Sequence, residues 1–158
     1  MLFRSGLTGV VSISGGDYHS CAAKQDGTVS CWGNSTYGGW GDGTWDDRYV
    51  PAMVVGLSGV VSITAGHDHK CALLQDGTVS CWGSSDYGQV GDGTTTYLQE
   101  TPTAVTGLSG VVSTTTGTWH TCVATQDGTA ACWGYNLWGQ LGDGTSTNRT
   151  TPTPVVGF

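Results

Sequence analysis

An all-β chain of three four-stranded antiparallel units, set in a radial or stacked array, is what these 158 residues should form. A block of about fifty residues recurs three times. Each copy holds four short runs fit for strands, separated by glycine-rich turns. No helix-length stretch places apolar residues at i, i+3, i+4 and i+7. The units run 9–58, 59–109 and 110–158, and His19, His69 and His120 mark the period at 50 and then 51 residues. The 27 glycines and seven tryptophans suit short strands and tight turns. Five Lys plus Arg stand against twelve Asp plus Glu, a net charge of −7. That balance argues against nucleic acid or an anionic membrane as partner, since phosphate binding needs clustered cations. Apolar runs of a few residues fall far short of the roughly 20 needed to cross a bilayer.

The first expected strand of unit one is VVSIS (10–14). HSCAAK (19–24) and TVSCWG (28–33) are the second and third. The fourth is VPAMVV (50–55), with TPTAV and TPTPVV as counterparts. Proline near its start fits a strand beginning or an edge, where a missing N–H is tolerated. Residues 34–49, 84–100 and 135–150 are long glycine-rich connections, the kind of segment that often carries function.

Between the second and third strands lies Lys24-Gln25-Asp26-Gly27-Thr28. A type I turn with Gly27 in the left-handed region makes a three-residue hairpin loop with a G1 bulge. Counting outward, Lys24 faces Thr28, Ala23 faces Val29, Ala22 faces Ser30, and Cys21 faces Cys31. Opposed hairpin residues lie at roughly 4.5–5.5 Å between Cα atoms, within reach of a disulfide. The same count sets Cys71 against Cys81 and Cys122 against Cys132. Zinc cysteines usually come two to four residues apart, a spacing these pairs lack. Each 11-residue loop so closed contributes about 3 kcal/mol in the chain-entropy model. Three such bonds imply an oxidising compartment. Cys21, Ala23, Val29 and Cys31 share one face of the hairpin; Thr28, Ser30 and Trp32 share the other. Both faces carry packing material, so each sheet expects a neighbour on either side.

Gly-x-x-His-x-Cys-Ala, Asp-Gly-Thr-x-x-Cys-Trp-Gly, Tyr-Gly-Gln-x-Gly-Asp-Gly-Thr and Thr-Pro-x-x-Val together resemble the regulator of chromosome condensation repeat. The resemblance covers residues 6–156 in three copies. It implies a β-propeller of four-stranded blades, usually seven in number. Cysteine-paired versions resemble secreted bacterial members. One member is a nuclear nucleotide-exchange factor; another, secreted, inhibits β-lactamases through loops on one face. None of their functional residues is carried over here. Three blades are fewer than the about four to eight of a closed propeller. The chain is therefore expected to be an arc of a larger propeller, or to close a ring by oligomerising through open strand edges. MLFRS (1–5) lacks the Thr-Pro-x-x-Val pattern that precedes the later junctions. It is expected to be a non-native or disordered leader on a metagenome-derived fragment, with 6–158 as one domain.

No nucleophile elbow, Walker loop or His-Glu-x-x-His motif occurs, so no catalytic residue and no cofactor are assigned. His19, His69 and His120 read as buried imidazoles bonded to neighbouring carbonyls rather than as metal ligands. Asp42, Asp92 and Asp143 in the GDGT runs read as Asx turns rather than calcium loops, lacking an EF-hand's alternating ligands. Asn34-Ser-Thr and Asn148-Arg-Thr fit glycosylation acceptors. Binding remains. The connections differ most at Trp45, Asp46, Asp47, Arg48 and Tyr49, at Tyr97, Leu98 and Gln99, and at Asn148 and Arg149. Aromatics beside arginine are common interface anchors, so these are the candidate partner-binding residues. The expected role is an extracellular interaction or scaffold module without catalysis. A secreted inhibitor or carbohydrate binder acting through one loop rim is the alternative, and a hydrolase's accessory or catalytic propeller comes third.

Overall fold

The computed structural model describes residues 6–35 and 39–157. The leader at 1–5 lies outside them. Among the described residues, twelve strands form three sheets. The first holds β1 (Val10–Gly15), β2 (His19–Lys24), β3 (Val29–Gly33) and β4 (Arg48–Met53). The second holds β5 (Val60–Ala65), β6 (His69–Leu74), β7 (Val79–Ser84) and β8 (Leu98–Ala104). The third holds β9 (Val111–Thr116), β10 (His120–Thr125), β11 (Ala130–Gly134) and β12 (Arg149–Pro154). Every pairing is antiparallel and follows chain order. No described helix is long and apolar enough to cross a membrane.

Turn chemistry sets the central hairpins as expected. Gly27, Gly77 and Gly128 take φ of 79, 78 and 83°, which glycine alone adopts cheaply. Lys24 N–H donates to the Thr28 carbonyl at 2.9 Å and Gly27 N–H to the Lys24 carbonyl at 2.9 Å. Asp26 Oδ1 accepts from the Thr28 N–H (3.0 Å) and hydroxyl (2.6 Å), which locks the turn. Cys21 then pairs with Cys31, Cys71 with Cys81, and Cys122 with Cys132. All three pairs are disulfides, with Cα atoms 4.1 Å apart.

The fourth strands begin earlier than their apolar pattern indicated. A bulge between Cys31 and Gly33 lets Gly33 pair with Arg48; likewise Gly83 pairs with Gln99 and Gly134 with Arg149. Arg48, Tyr49, Leu98, Gln99 and Arg149 thus stand in strands rather than on loop tips. Backbone pairing past a bulge leaves no trace in side-chain alternation.

The sheets stack face to face. β1 packs against β5 and β5 against β9, so the first strands share the inner side of the arc. Between sheets one and two lie Cys21, Val29, Cys31, Trp40, Val54, Val60, Ile63 and Trp82. Between sheets two and three lie Cys71, Leu73, Val79, Cys81, Val90, Val105, Val111 and Trp133. The cysteine face of one sheet therefore meets the tryptophan face of the next. What the arc exposes at its two ends are sheet faces. The strand edges belong to β1 and β4 of each sheet and to their equivalents.

Buried titratable groups sit at these junctions. His69 Nε2 lies 2.9 Å from the Thr121 hydroxyl of the next sheet, and a backbone hydrogen bond with His120 also reaches the imidazole. Burial, reinforced by the Lys70 charge, pushes both His19 and His69 down to about 3. Burial also pulls the Lys70 amine down to about 7. In the unfolded chain both imidazoles take up protons near their ordinary 6.5. The unfolded state thus binds more protons below that pH, and stability falls as pH falls. By pH 5 each histidine should remove about 2 kcal/mol. Lys70 acts with the same sign above pH 7, so stability climbs further into the alkaline range. Thermal melts should show Tm dropping between pH 7 and 5, with a shallower slope in His69→Gln. A flat profile contradicts this.

Candidate functional site

Two sets of loops leave the sheets from one rim. His19 pairs with Gly33, and Gly33 with Arg48. The β1–β2 turn and the long β3–β4 connection therefore emerge side by side, and the other sheets repeat this. On that rim an aromatic row crosses all three sheets. Tyr18 meets His67 at 6.0 Å between ring centroids, and His67 meets Trp119 at 6.3 Å. Trp119 meets Tyr87 at 5.7 Å and Tyr135 at 5.5 Å, and Tyr87 meets Tyr135 at 4.9 Å. The tilted and edge-on angles are the favourable ones for quadrupolar rings. His67 is fastened between two carboxylates, with Nε2 3.3 Å from Asp17 and Nδ1 against Asp68. A cleft of about 220 Å³ follows, lined by Thr118, Trp119, His120, Tyr135, Trp138 and Gln140. Trp138 in its lining and its chain neighbour Leu137 stand exposed, as does Tyr18 at the other end of the row.

The residues singled out from sequence lie on the same rim, toward its outer side, and divide into two groups. One group is engaged internally. Asp42 Oδ1 accepts from the Thr44 N–H (3.0 Å) and hydroxyl (2.7 Å), forming the expected Asx turn. Its second oxygen takes the Arg48 guanidinium. Asp92 receives Gln99 Nε2 at 3.1 Å and Asp143 receives Arg149 Nε at 2.7 Å. Arg48, Gln99 and Arg149 thus clamp each GDGT turn to the fourth strand. Burial raises the Asp42 carboxyl, but the donors from Arg48 and Thr44 outweigh it and hold it below the usual carboxylate range. The Thr145 hydroxyl and Arg149 hold Asp143 lower still. Asp47 accepts from the Ser35 N–H (3.0 Å) and Asn34 (3.2 Å), and Asn148 accepts from the Asn136 N–H (2.8 Å). Leu98 is buried. The other group, Trp45, Asp46, Tyr49 and Tyr97, faces solvent.

Sequence reasoning missed the aromatic row. Its signal was present: Tyr18 and Trp119 fall immediately before the repeated histidine, and Tyr87 and Trp138 open the aromatic-Gly motif. Trp119 meets Tyr135 within the third sheet, while the contacts of Tyr18 with His67, His67 with Trp119, and Tyr87 with Trp119 and Tyr135 arise because neighbouring sheets stack. Among the described residues, no three His, Cys, Asp or Glu side chains are grouped to hold a metal ion. The rim can stack planar or apolar groups and exchange hydrogen bonds at its polar margin.

Three four-stranded sheets, fanned from an inner edge and joined cysteine face to tryptophan face, are blades of a β-propeller. Two profiles of the regulator of chromosome condensation (RCC1) repeat match the chain, one over residues 10–38 and 60–89, the other over 26–73 and 76–124. The chain belongs to that repeat family. It superposes on Prp20p from Saccharomyces cerevisiae, a structure described with its binding to Gsp1p and histones, at a TM-score of 0.84 and 25% identity. That match covers 96% of this chain and 39% of Prp20p. Human WBSCR16 shares the fold at a TM-score of 0.81 and 24% identity, over 98% of this chain and 39% of that one. The ectodomain of the receptor kinase CR4 from Physcomitrella patens is 31% identical at a TM-score of 0.53, over 78% of this chain and 28% of its own. The chain thus spans about two fifths of the first two structures' length.

Proposed function

We propose that this chain is a non-catalytic protein-interaction module, displayed outside the cell, that engages its partner through the loop rim. The contiguous aromatic row from Tyr18 to Tyr135 carries this reading. Exposed Trp and Tyr held rigid by ring-on-ring packing contribute contact area at low entropic cost. Trp45, Tyr49 and Tyr97 extend the apolar surface outward. The three disulfides are consistent with an oxidising compartment. Protein binding by a relative, Prp20p with Gsp1p and histones, supports the class of function and not the partner.

The test compares wild type with Trp119→Ala, which removes the ring touching His67, Tyr87 and Tyr135. Immobilised protein is exposed to extracellular proteins of the source and, separately, to a glycan array. Proteins retained by wild type should bind Trp119→Ala at least about thirtyfold more weakly, as expected for an interface anchor worth at least about 2 kcal/mol. The melting curve should show that Trp119→Ala remains folded. Retention that ignores the substitution sinks the rim reading. Glycan signals lost in the same variant would replace the protein partner with a carbohydrate.

A further inference from the structure

We propose that the rim recognises an arginine side chain of its partner, stacked on the aromatic row and held there by the carboxylates of Asp68, Asp86 and Asp17. The proposal rests on the rim reading above and gives that partner its chemistry.

The centre of the row belongs to the second blade, which has a neighbour on both sides. His67 and Tyr87 come from that blade and meet Trp119 and Tyr135 of the third. Carboxylates run beside these rings. Asp17 and Asp68 flank His67, their side chains 56% and 16% exposed. The Ser84 N–H donates to the Asp68 carbonyl at 2.9 Å, and the Ser84 hydroxyl donates to Asp86 at 3.3 Å. Ser84 thus sets Asp86 next to Asp68, with Tyr87 following in the chain, and Asp86 is exposed. Among the described residues, no three acids or imidazoles converge as metal ligands would. A group that spans rings and separate carboxylates is an organic cation.

The chain's own lysines and arginines, among the described residues, are engaged elsewhere. Arg48 and Arg149 clamp the turns of Asp42 and Asp143. Lys24 pairs with Asp26 at 3.3 Å, at the opposite end of its sheet. Lys70 is attracted by Asp68 but is fully buried at the first junction, with Nζ 3.4 Å from the Gly39 carbonyl. The rim therefore presents aromatic faces and negative charge together, and complementarity calls for a positive partner.

A guanidinium suits that combination better than an ammonium. It is planar, so it stacks on an indole or phenol face, while its fork of N–H donors reaches a carboxylate at the same time. The chain already contains this arrangement. Arg48 Cζ lies 5.5 Å from the Trp40 ring centroid while its guanidinium meets Asp42. A net charge of −7 adds long-range attraction for a basic surface.

The probe is the peptide acetyl-Gly-Arg-Gly-Arg-Gly-amide, beside a twin with citrulline in place of arginine and another with lysine. Nitrogen-edited NMR follows the Trp119 indole N–H and the backbone amides of Asp68, Tyr87 and Tyr135. The arginine peptide should shift these signals. The citrulline twin, which keeps the shape and loses the charge, should bind at least about tenfold more weakly, and the lysine twin more weakly than arginine. Asp68→Asn and Asp86→Asn should each weaken the arginine peptide about three- to fivefold. Melting curves check the fold, and because Asp86 is exposed its variant keeps the test valid should Asp68→Asn unfold. No shift at millimolar peptide, equal binding of the citrulline or lysine twin, or indifference to the asparagine variants overturns the proposal. Proteins lost from Trp119→Ala but kept by both asparagine variants overturn the arginine assignment alone. Proteins indifferent to Trp119→Ala, with the peptide bound as expected, overturn the rim reading alone.

Discussion

Replacing Cys71 and Cys81 with alanine should lower the unfolding free energy by about 3 kcal/mol. The bond closes an 11-residue loop in the unfolded chain, and its loss restores that chain entropy. Both sulfurs lie fully buried between the second and third blades, beside Val79, Val105 and Trp133. Repacking around two alanines adds a cavity term to the entropic one. Removing all three disulfides costs about 9 kcal/mol on the same reckoning, comparable to a whole domain's stability. Reduction should therefore unfold the protein. Urea denaturation of the double variant, and of wild type with and without reductant, gives the values. Six titratable thiols in untreated native protein would refute the pairing, and an unchanged midpoint would refute its energetic weight.

Trp133→Ala should be as damaging, at about 3–5 kcal/mol. This indole is fully buried, donates to the Gln89 carbonyl at 2.9 Å, and lies over Gly91 at the second junction. A Cβ on Gly91 would stand 2.5 Å from Trp133 Nε1, so the glycine exists to admit the ring. Trp82 fills the equivalent place at the first junction, also fully buried, but its Nε1 has no hydrogen-bond partner among the described residues. The pair separates burial from hydrogen bonding. Trp133→Phe should cost about 1 kcal/mol more than Trp82→Phe, the net worth of one buried hydrogen bond. Chemical denaturation of both phenylalanine variants checks the difference, and equal losses would show that the Gln89 contact contributes nothing.

Legibility in the sequence followed the range of the interaction. Gln25-Asp26-Gly27 encodes its own turn, and Cys21 opposite Cys31 follows by counting. The starts of β4, β8 and β12 were misplaced because a bulge is a matter of backbone pairing, which residues 48 and 49 do not advertise. Arg48, Gln99 and Arg149 looked like partner contacts because an arginine or amide beside aromatics reads as an anchor. In the folded chain the GDGT aspartates claim all three. Trp138 was passed over because its motif reads as a turn.

The sequence by itself determined the repeat, which shows as self-similarity at a period of about fifty residues, and also the hairpins, the three disulfide pairs and the two apolar faces of each sheet, since these last depend on residues within about a dozen positions of one another. Only the tertiary structure decided which face meets which, where Lys70 and the histidines are buried, and that Tyr18, His67, Trp119, Tyr87 and Tyr135 join in one row. Those contacts link residues from 16 to about fifty positions apart. A blade cannot bury its own faces, so the stacking of neighbours sets these arrangements, and period-2 alternation carries no information about it.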